Sequence, residues 1–484
     1  AMFVYSEEYW HTRSTGASRN DRIHPSTSEI NSALTNVQSN SGSSASEGLR
    51  SYIGRMNYSA YDKYLLEFSF RVDGSSKFIK GHQYGFFPTV AVGWRFTEEE
   101  FLKKYLSSWL SSGKLRASWG KLGDNSGVGR FEQLETLTAM NYMSSDVVKG
   151  FVNKKMINKD LSWEVSTDIN VGLDLGFLNN RLRTEIDFYN RLRTGMNRPS
   201  QMSIHLTGAY SAPRANIGDL LNRGLELNLT WKDKIGNVEY SVNLNGAYNR
   251  TVLKEWNEFL SRGWVYLDMP YHFLYVYENN GIAQTWQDIY NNTPQGLSPG
   301  DVIRKDLNGD GIIDGKDKKA YPNIQRDRPT TTYGITLQAA WKGFDISMLF
   351  NGGLGRKDFW LTDFNNTAFA DRRYASTWDH WTEPWSLENR GGEWPRLGTS
   401  TDRSDNSYWL YNMNYLRMKN IMLGYNLPKK LLSKISMTNL RIYASAENLF
   451  TVTQYPGLDP EKKNSARDLY PINRSFSIGL NVSF

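Results

Sequence analysis

Ser475-Phe476-Ser477-Ile478-Gly479-Leu480-Asn481-Val482-Ser483-Phe484 closes the chain and alternates without a fault. Phe476, Ile478, Leu480, Val482 and Phe484 fall on one face, and serine, glycine and asparagine fall on the other. Side chains of a strand point alternately to its two sides, so this stretch reads as a strand with one apolar and one polar face. In a soluble sandwich the apolar face looks inward. In a membrane barrel it looks at lipid, and the polar face lines the lumen.

The same alternation recurs along the chain. It is clear at Ile169 to Leu175, Leu182 to Tyr189, Leu225 to Trp231, Val238 to Asn249 and Leu440 to Glu447. Further stretches lie at 2–10, 51–60, 64–72, 84–95, 113–120, 330–341, 343–352 and 414–425. The total is about 14 strands of roughly 9–11 residues, the length that crosses a bilayer when tilted. Charged residues on the polar faces (Arg183, Glu185, Asp187, Arg441, Glu447) fit a water-filled or plugged lumen. Trp94, Trp119, Trp163, Trp231, Trp341 and Tyr425 fit aromatic girdles.

The connections separate sandwich from barrel. Long ones (11–49, 121–164, 192–221, 250–329, 353–413, 450–472) alternate with short ones at Tyr61-Asp62-Lys63, Phe177 to Asn180, Lys232 to Asn237 and Lys342-Gly343, and with a shorter one at 426–437. Barrels in the outer membrane carry long loops outside and short turns on the periplasmic side, whereas a sandwich has no reason to keep its long loops at one end. One connection departs from the pattern. Thr97-Glu98-Glu99-Glu100 has capping-box spacing, and Phe101, Leu102, Tyr105, Leu106, Trp109 and Leu110 follow at helical spacing. This predicts a short amphipathic helix on the periplasmic side, packed on the barrel rim or lying in the lipid interface.

Composition sets limits. The chain has 484 residues, a formal charge of +7, no cysteine and 14% aromatic residues. Mean hydropathy is −0.57. No run of roughly 18 apolar residues exists, which excludes a helical membrane bundle but not a barrel, whose alternating strands average out to polar. Lys and Arg form no blocks, so nucleic acid is not an expected partner. Lack of cysteine excludes disulfides, thiolate metal sites and cysteine nucleophiles. The six histidines form no His-Glu-x-x-His, and no phosphate-cradling glycine loop is present. Paired carboxylates such as Asp459 and Glu461 do not by themselves argue for acid–base catalysis, so no enzyme activity is expected.

The residues also resemble a family, nearly end to end and in family order. The matching stretches begin at Arg71-Val72-Asp73-Gly74-Ser75-Ser76-Lys77-Phe78, Phe87 to Arg95, Lys114 to Gly120 and Asn158-Lys159-Asp160-Leu161-Ser162-Trp163-Glu164. They continue through Asn170 to Asp174, Asn222 to Leu227, Tyr415 to Ile421, Leu423 to Pro428, Ser445 to Phe450 and Gly457-Leu458-Asp459-Pro460-Glu461. The chain is similar to the C-terminal part of SusC-like TonB-dependent outer-membrane transporters of Bacteroidetes. That resemblance implies an all-β transmembrane antiparallel barrel of roughly 22 strands with a plugged lumen. Residues 1–484 would supply its C-terminal strands, with the plug and first strands lying outside this sequence. It further implies active import of a nutrient, an oligosaccharide or a peptide, beneath a SusD-like surface lipoprotein, with energy from TonB–ExbB–ExbD through the plug. Phe484 resembles the terminal aromatic that such proteins present to the barrel assembly machinery. Read without the resemblance, an aromatic-rich β-sandwich lectin or a β-rich glycoside hydrolase would also suit the composition.

Two loop features point to ligands. Asp306-Leu307-Asn308-Gly309-Asp310-Gly311-Ile312-Ile313-Asp314-Gly315-Lys316-Asp317 has the spacing of a calcium loop. Side-chain oxygens of Asp306, Asn308, Asp310, Asp314 and Asp317 and the Ile312 carbonyl would be the ligands, with Gly311 at the sharp turn. The expected role is structural, on the extracellular side; a well-solvated Asp/Gly turn is the plainer alternative. Loop 353–413 carries Trp360, Trp378, Trp381, Trp385, Trp394 and Trp409. Trp360, Trp378, Trp381 and Trp385 are the candidates for stacking on sugar rings, against the alternative that they pack the loop.

Overall fold

The computed structural model describes residues 1–483 except 22–23, 25, 28, 34–37, 107–108, 144–146, 154, 208–211, 259–265, 271–272, 327, 360–382, 393, 397–405, 433–436 and 463–471. One antiparallel sheet of 14 strands dominates it, and every strand pairs with its neighbours in sequence order within the sheet. Its strands are Met2–Arg19, Gln38–Ala60, Tyr64–Ser75, Tyr84–Trp94, Leu110–Asp124, Glu164–Phe177, Leu182–Thr194, Asp219–Ile235, Val238–Glu255, Thr331–Trp341, Phe344–Leu354, Tyr415–Asn426, Asn439–Thr453 and Ser475–Ser483. Each overlaps a stretch that alternation marks in the sequence.

The two faces differ as the alternation requires. Ile478, Ala444, Leu423, Ile346, Ala339 and Tyr240 are in direct register across successive strands. Phe188, Val171, Ala117, Val92, Leu66 and Tyr58 form a second such row. Side chains along this face are open: Ile478 is 84%, Phe476 72%, Leu423 53%, Phe188 50% and Val92 49% exposed. So large an apolar band is a surface for lipid, not for water.

The opposite face is polar and cross-linked. Arg116 donates to Asp174 at 2.7 Å and to Asp187 at 3.0 Å. Arg441 bonds Asp345 at 3.0 Å, and Arg191 pairs with Asp168 at 2.5 Å. Glycines make room where these inward groups cross the sheet. A Cβ at Gly172 would lie 2.5 Å from Asp187 Oδ1 and 2.7 Å from the Arg116 guanidinium carbon. At Gly224 it would lie 2.3 Å from the Tyr189 ring, whose hydroxyl accepts a bond from Asn249.

The short turns use left-handed backbone. Tyr61 and Asp62 have φ of 52° and 54°, and Lys342 and Gly343 have 46° and 92°, the conformation that matches the twist of paired strands. Girdle residues gather at this end. Trp341, Phe344 and Tyr425 are in register beside the Lys342-Gly343 turn, with Phe344 and Tyr425 ring centroids 4.5 Å apart.

Three expectations need correction. Strands run from 9 to 23 residues, so several rise well beyond the bilayer. Residues 11–19 and 38–49 are not loop but the upper part of a hairpin, with Met2 opposite Arg55 through Arg19 opposite Gln38. Both faces of that extension are polar (Ser39, Ser41, Ser43, Ser44), so it carries no alternation. Second, Thr97 does not cap a helix. It lies in a 3-10 turn, Phe96–Glu98, and its buried hydroxyl accepts the Gly113 N–H at 2.9 Å. The helix is only Glu100–Leu106; Trp109 stacks on Phe177, and Leu110 already begins a strand. Phe101 and Tyr105 are 64% and 74% exposed, while Leu102 and Leu106 on the other side of the helix are half-buried. Third, Trp163 is no girdle residue. It packs on Phe78 and Phe87 at 5.2 and 5.5 Å, above the sheet on the long-loop side.

Candidate functional site on the extracellular loops

The long loops gather into a folded body at one end of the sheet. Within 250–329, Phe273–Tyr277 pairs with Lys318–Gln325, and Asn279–Ile282 pairs with Val302–Arg304. The described parts of loop 353–413 dock on this unit. Leu274 and Val276 from the first loop bury against Phe359 and Trp409 from the second. Arg396 pairs with buried Asp301 at 2.8 Å, and Asn279 donates to Ser407. Burial of these apolar side chains, at roughly 1.5–3 kcal/mol each, holds the described parts of the two loops against each other.

A buried ionic latch ties this body to the sheet. Arg417, 2% exposed, bonds Asp459 at 2.8 Å and Glu461 at 2.5 Å, and its Nε donates to Thr451. Glu461 also accepts from the Tyr415 hydroxyl and from Asn351, both at 2.8 Å. Burial pushes the Glu461 carboxyl up, but the Tyr415 hydroxyl, Arg417 and Asn351 outweigh it and hold it below the usual carboxylate range. Arg356, 1% exposed, gives its guanidinium to the carbonyls of Arg326, Pro460, Glu461 and Lys462. Asp459 and Glu461 thus clamp an arginine and are committed to structure.

The acidic loop is tightly turned. Asp306 accepts the N–H groups of Gly309 and Gly311, Asn308 that of Asp310, and Asp310 that of Ile312. Asp314 caps the 3-10 turn Gly315–Asp317, and fully buried Asp317 accepts from Leu307, Asn308 and Asp314. The Asp314 backbone N–H, with those of Leu307 and Asn308, holds the Asp317 carboxyl below its usual range. Ile312 has an exposed side chain. Among the described residues no group of three or more His, Asp or Glu side chains is drawn together as a metal would require. The fit is therefore partial: the turns and Gly311, at φ 79°, are those of a calcium loop, while the carboxylates spend their oxygens on backbone N–H groups.

The tryptophans divide differently from the reading of the sequence. Trp360, Trp378, Trp381 and Phe484 lie outside the described residues. Trp385 is 7% exposed, covers Gly300 and donates its indole N–H to Gln284 at 2.9 Å, so its ring is spent on packing. Trp409 is buried against Trp394, their rings stacked at 6.2 Å. Among the described residues of these two loops, Trp286 and Tyr290 are the most open rings, 55% and 76% exposed on one face of the short helix Trp286–Tyr290. Their four-residue spacing is visible in the sequence, and the capping box from Thr285 to Asp288 was the signal that could have found them.

Comparison with known proteins decides the family. The family model "TonB dependent receptor-like, beta-barrel" matches residues 5–299. The chain belongs to the TonB-dependent receptor β-barrel family. Its curated relatives include TonB-dependent receptor P3 of Formosa agariphila, 30% identical over 90% of this chain and 45% of the relative. TonB-dependent receptor SusC of Bacteroides thetaiotaomicron is also 30% identical, over 90% of this chain and 44% of the relative. The chain spans about half the length of the curated relatives it matches. The solved structure of the RagAB peptide transporter shares the fold, with a TM-score of 0.79 and 24% identity over all of this chain and 53% of that one.

As a TonB-dependent receptor barrel the sheet lies in the outer membrane. Family stretches that are far apart in the sequence turn out to be contacts. Phe78 buries against Leu161 and Val128 beneath Trp163. Trp163 donates to the Gln83 carbonyl, and Asn125 to Ser75. Tyr415 and Arg417 meet Asp459 and Glu461 in the latch. At the other end Glu99 collects Tyr64, Trp94 and Lys63, fixing girdle side chains beside the short helix Glu100–Leu106.

Proposed function

We propose that this chain is the C-terminal part of the barrel of a SusC-like importer that takes an oligosaccharide across the outer membrane. TonB–ExbB–ExbD would act on a plug in the remaining length of the protein, a SusD-like surface lipoprotein would cap the loop body, and Phe484 would be the signal for barrel assembly. The observation that carries the oligosaccharide reading is the exposed pair Trp286 and Tyr290 on the loop body, since aromatic faces stack on sugar rings. A peptide substrate is the second reading, favoured by the fold shared with a protein named as a peptide transporter. Growth of a deletion strain on defined glycans against defined peptides separates them. In the complemented strain, Trp286→Ala should weaken glycan uptake by about three- to tenfold with the transporter still at the surface. Unchanged glycan uptake, or a growth defect confined to peptides, would sink the first reading.

The same proposal gives loop 306–317 a structural calcium ion held by oxygens of Asp306, Asn308, Asp310, Asp314, Asp317 and the Ile312 carbonyl. Calcium would neutralise the carboxylates and pin loop 250–329. Millimolar calcium should slow proteolysis within 250–329, and Asp310→Ala should abolish that protection while the barrel stays folded. Identical digestion with calcium and with a chelator removes the ion from the reading. Asp317 holds the turn in either case. Its folded pKa is depressed, so its contribution is present above the usual carboxylate range and lost as pH falls through the folded value.

A further inference from the structure

Two arginines stand opposite each other on the lipid-facing side of the sheet, near its long-loop end. Arg223 and Arg250 are direct cross-strand partners in strands Asp219–Ile235 and Val238–Glu255. Two residues further toward the short turns, the same face carries Leu225 opposite Tyr248. Like charges directly opposite destabilise a strand pair, and a charge on the lipid face adds to that cost. Among the described residues no carboxylate pairs with either guanidinium. Arg223 Nε donates only to the neutral Asn190 Oδ1, at 2.7 Å, and Arg250 Nε is buried with no hydrogen-bond partner. Lys254, the next cation on this face, is already paired with Asp268.

The two arginines line a cavity of about 460 Å³ together with Phe188, Leu225, Tyr248 and Val252. Its upper wall also carries the Lys254–Asp268 pair, which leaves the two arginines as its uncompensated charge, and its floor is apolar and continuous with the lipid-facing band. Short turns mark the periplasmic side, so this cavity lies at the level of the outer leaflet and its headgroups. We propose that it binds a phosphorylated glycolipid of the outer leaflet. One phosphate would sit between the Arg223 and Arg250 guanidiniums, satisfying the free Nε and cancelling the repulsion. An acyl chain would lie over Phe188, Leu225 and Tyr248. Arginine suits phosphate because its planar fork gives paired, charge-assisted hydrogen bonds.

The experiment uses the intact transporter purified in mild detergent, with bound lipid read by native mass spectrometry. Wild-type protein should retain lipid A through detergent exchange, and R223Q/R250Q should lower its occupancy by at least about tenfold. R223K/R250K, which keeps the charge, should retain more lipid than the glutamine variant. Heat-modifiable gel mobility shows that each variant is folded. If the glutamine variant does not insert, wild-type protein still decides: raising salt from 50 mM to 500 mM should release lipid A, because the contact is charge-assisted. Equal lipid A retention by wild type and folded R223Q/R250Q would overturn the proposal, as would insensitivity to salt. Equal retention of zwitterionic phosphatidylethanolamine would also overturn it, showing an apolar cleft without phosphate selection. So would displacement of lipid A by equimolar inorganic phosphate, or loss of a co-purifying lipoprotein with lipid A unchanged.

Discussion

Arg417→Ala should release the extracellular loop body from the sheet and cost about 3–5 kcal/mol, the usual penalty for removing one member of a buried ion pair. Both carboxylates would be left without their cation. Asp459 is 2% exposed, and its Oδ2 already has no hydrogen-bond partner, so it has least means of adapting. Glu461 would keep Tyr415 and Asn351 and suffer less. The measurement is denaturant unfolding of the intact transporter in detergent, alongside protease digestion across 450–472. The barrel should remain inserted while that segment becomes cleavable. Replacing all three charged members by neutral residues of like size, as in R417M/D459L/E461Q, should recover most of the loss, because the penalty comes from uncompensated buried charge. Acid should act in the same direction as R417A. The Glu461 carboxyl is held below its usual range in the fold, so its share of the stability is present at neutral pH and lost as pH falls through that depressed value. A midpoint change equivalent to less than about 1 kcal/mol in R417A would show that the latch is ornamental.

The latch also shows what a sequence can and cannot tell. Tyr415 to Ile421 and Gly457 to Glu461 are each recognisable as family stretches, yet nothing within either says that they touch. Arg417 and Asp459 are 42 positions apart, and their contact is set by the hairpin and loop between them. Strand identity is legible because period-two alternation is enforced by two different solvents on the two faces. It fades where both faces meet water, which is why the strand residues 11–19 and 38–49 read as loop. The helix end is misread for a related reason. Thr97 has the right spacing for a cap, but Gly113 on a strand presents an N–H to its hydroxyl, and a long-range partner outbids a local rule. The tryptophans fail in another way: a ring that stacks on sugar and a ring that packs a loop have the same composition, and only burial separates Trp385 from Trp286.

Leu244 and Asn245 are neighbours that test the orientation of the whole sheet. Leu244 is in register with Leu229 and Ile335 on the apolar face, and Asn245 with Asn228 and Gly334 on the polar one. Both lie in the mid-section of Val238–Glu255 that faces the bilayer. Leu244→Arg should cost about 2–4 kcal/mol in barrel stability, the price of a guanidinium at the bilayer midplane. Asn245→Arg, one residue along, should cost under about 1 kcal/mol, since its side chain enters a lumen already lined by Asn228, Asn243 and Gln338. Folding into lipid vesicles, followed by heat-modifiable mobility and denaturant midpoints, measures both. In a sandwich with the apolar face inward, Leu244→Arg would abolish folding in aqueous buffer and lipid would make no difference. In the barrel the penalty should shrink as the arginine is moved along the same face toward either headgroup region, because water and phosphates there solvate the charge. Equal costs at Leu244 and Asn245 would mean that the two faces do not meet different solvents, and the assignment of lipid and lumen would fall. A depth-dependent penalty at alternate residues only is the signature that a single alternating strand, such as Ser475–Ser483, implies but cannot by itself demonstrate.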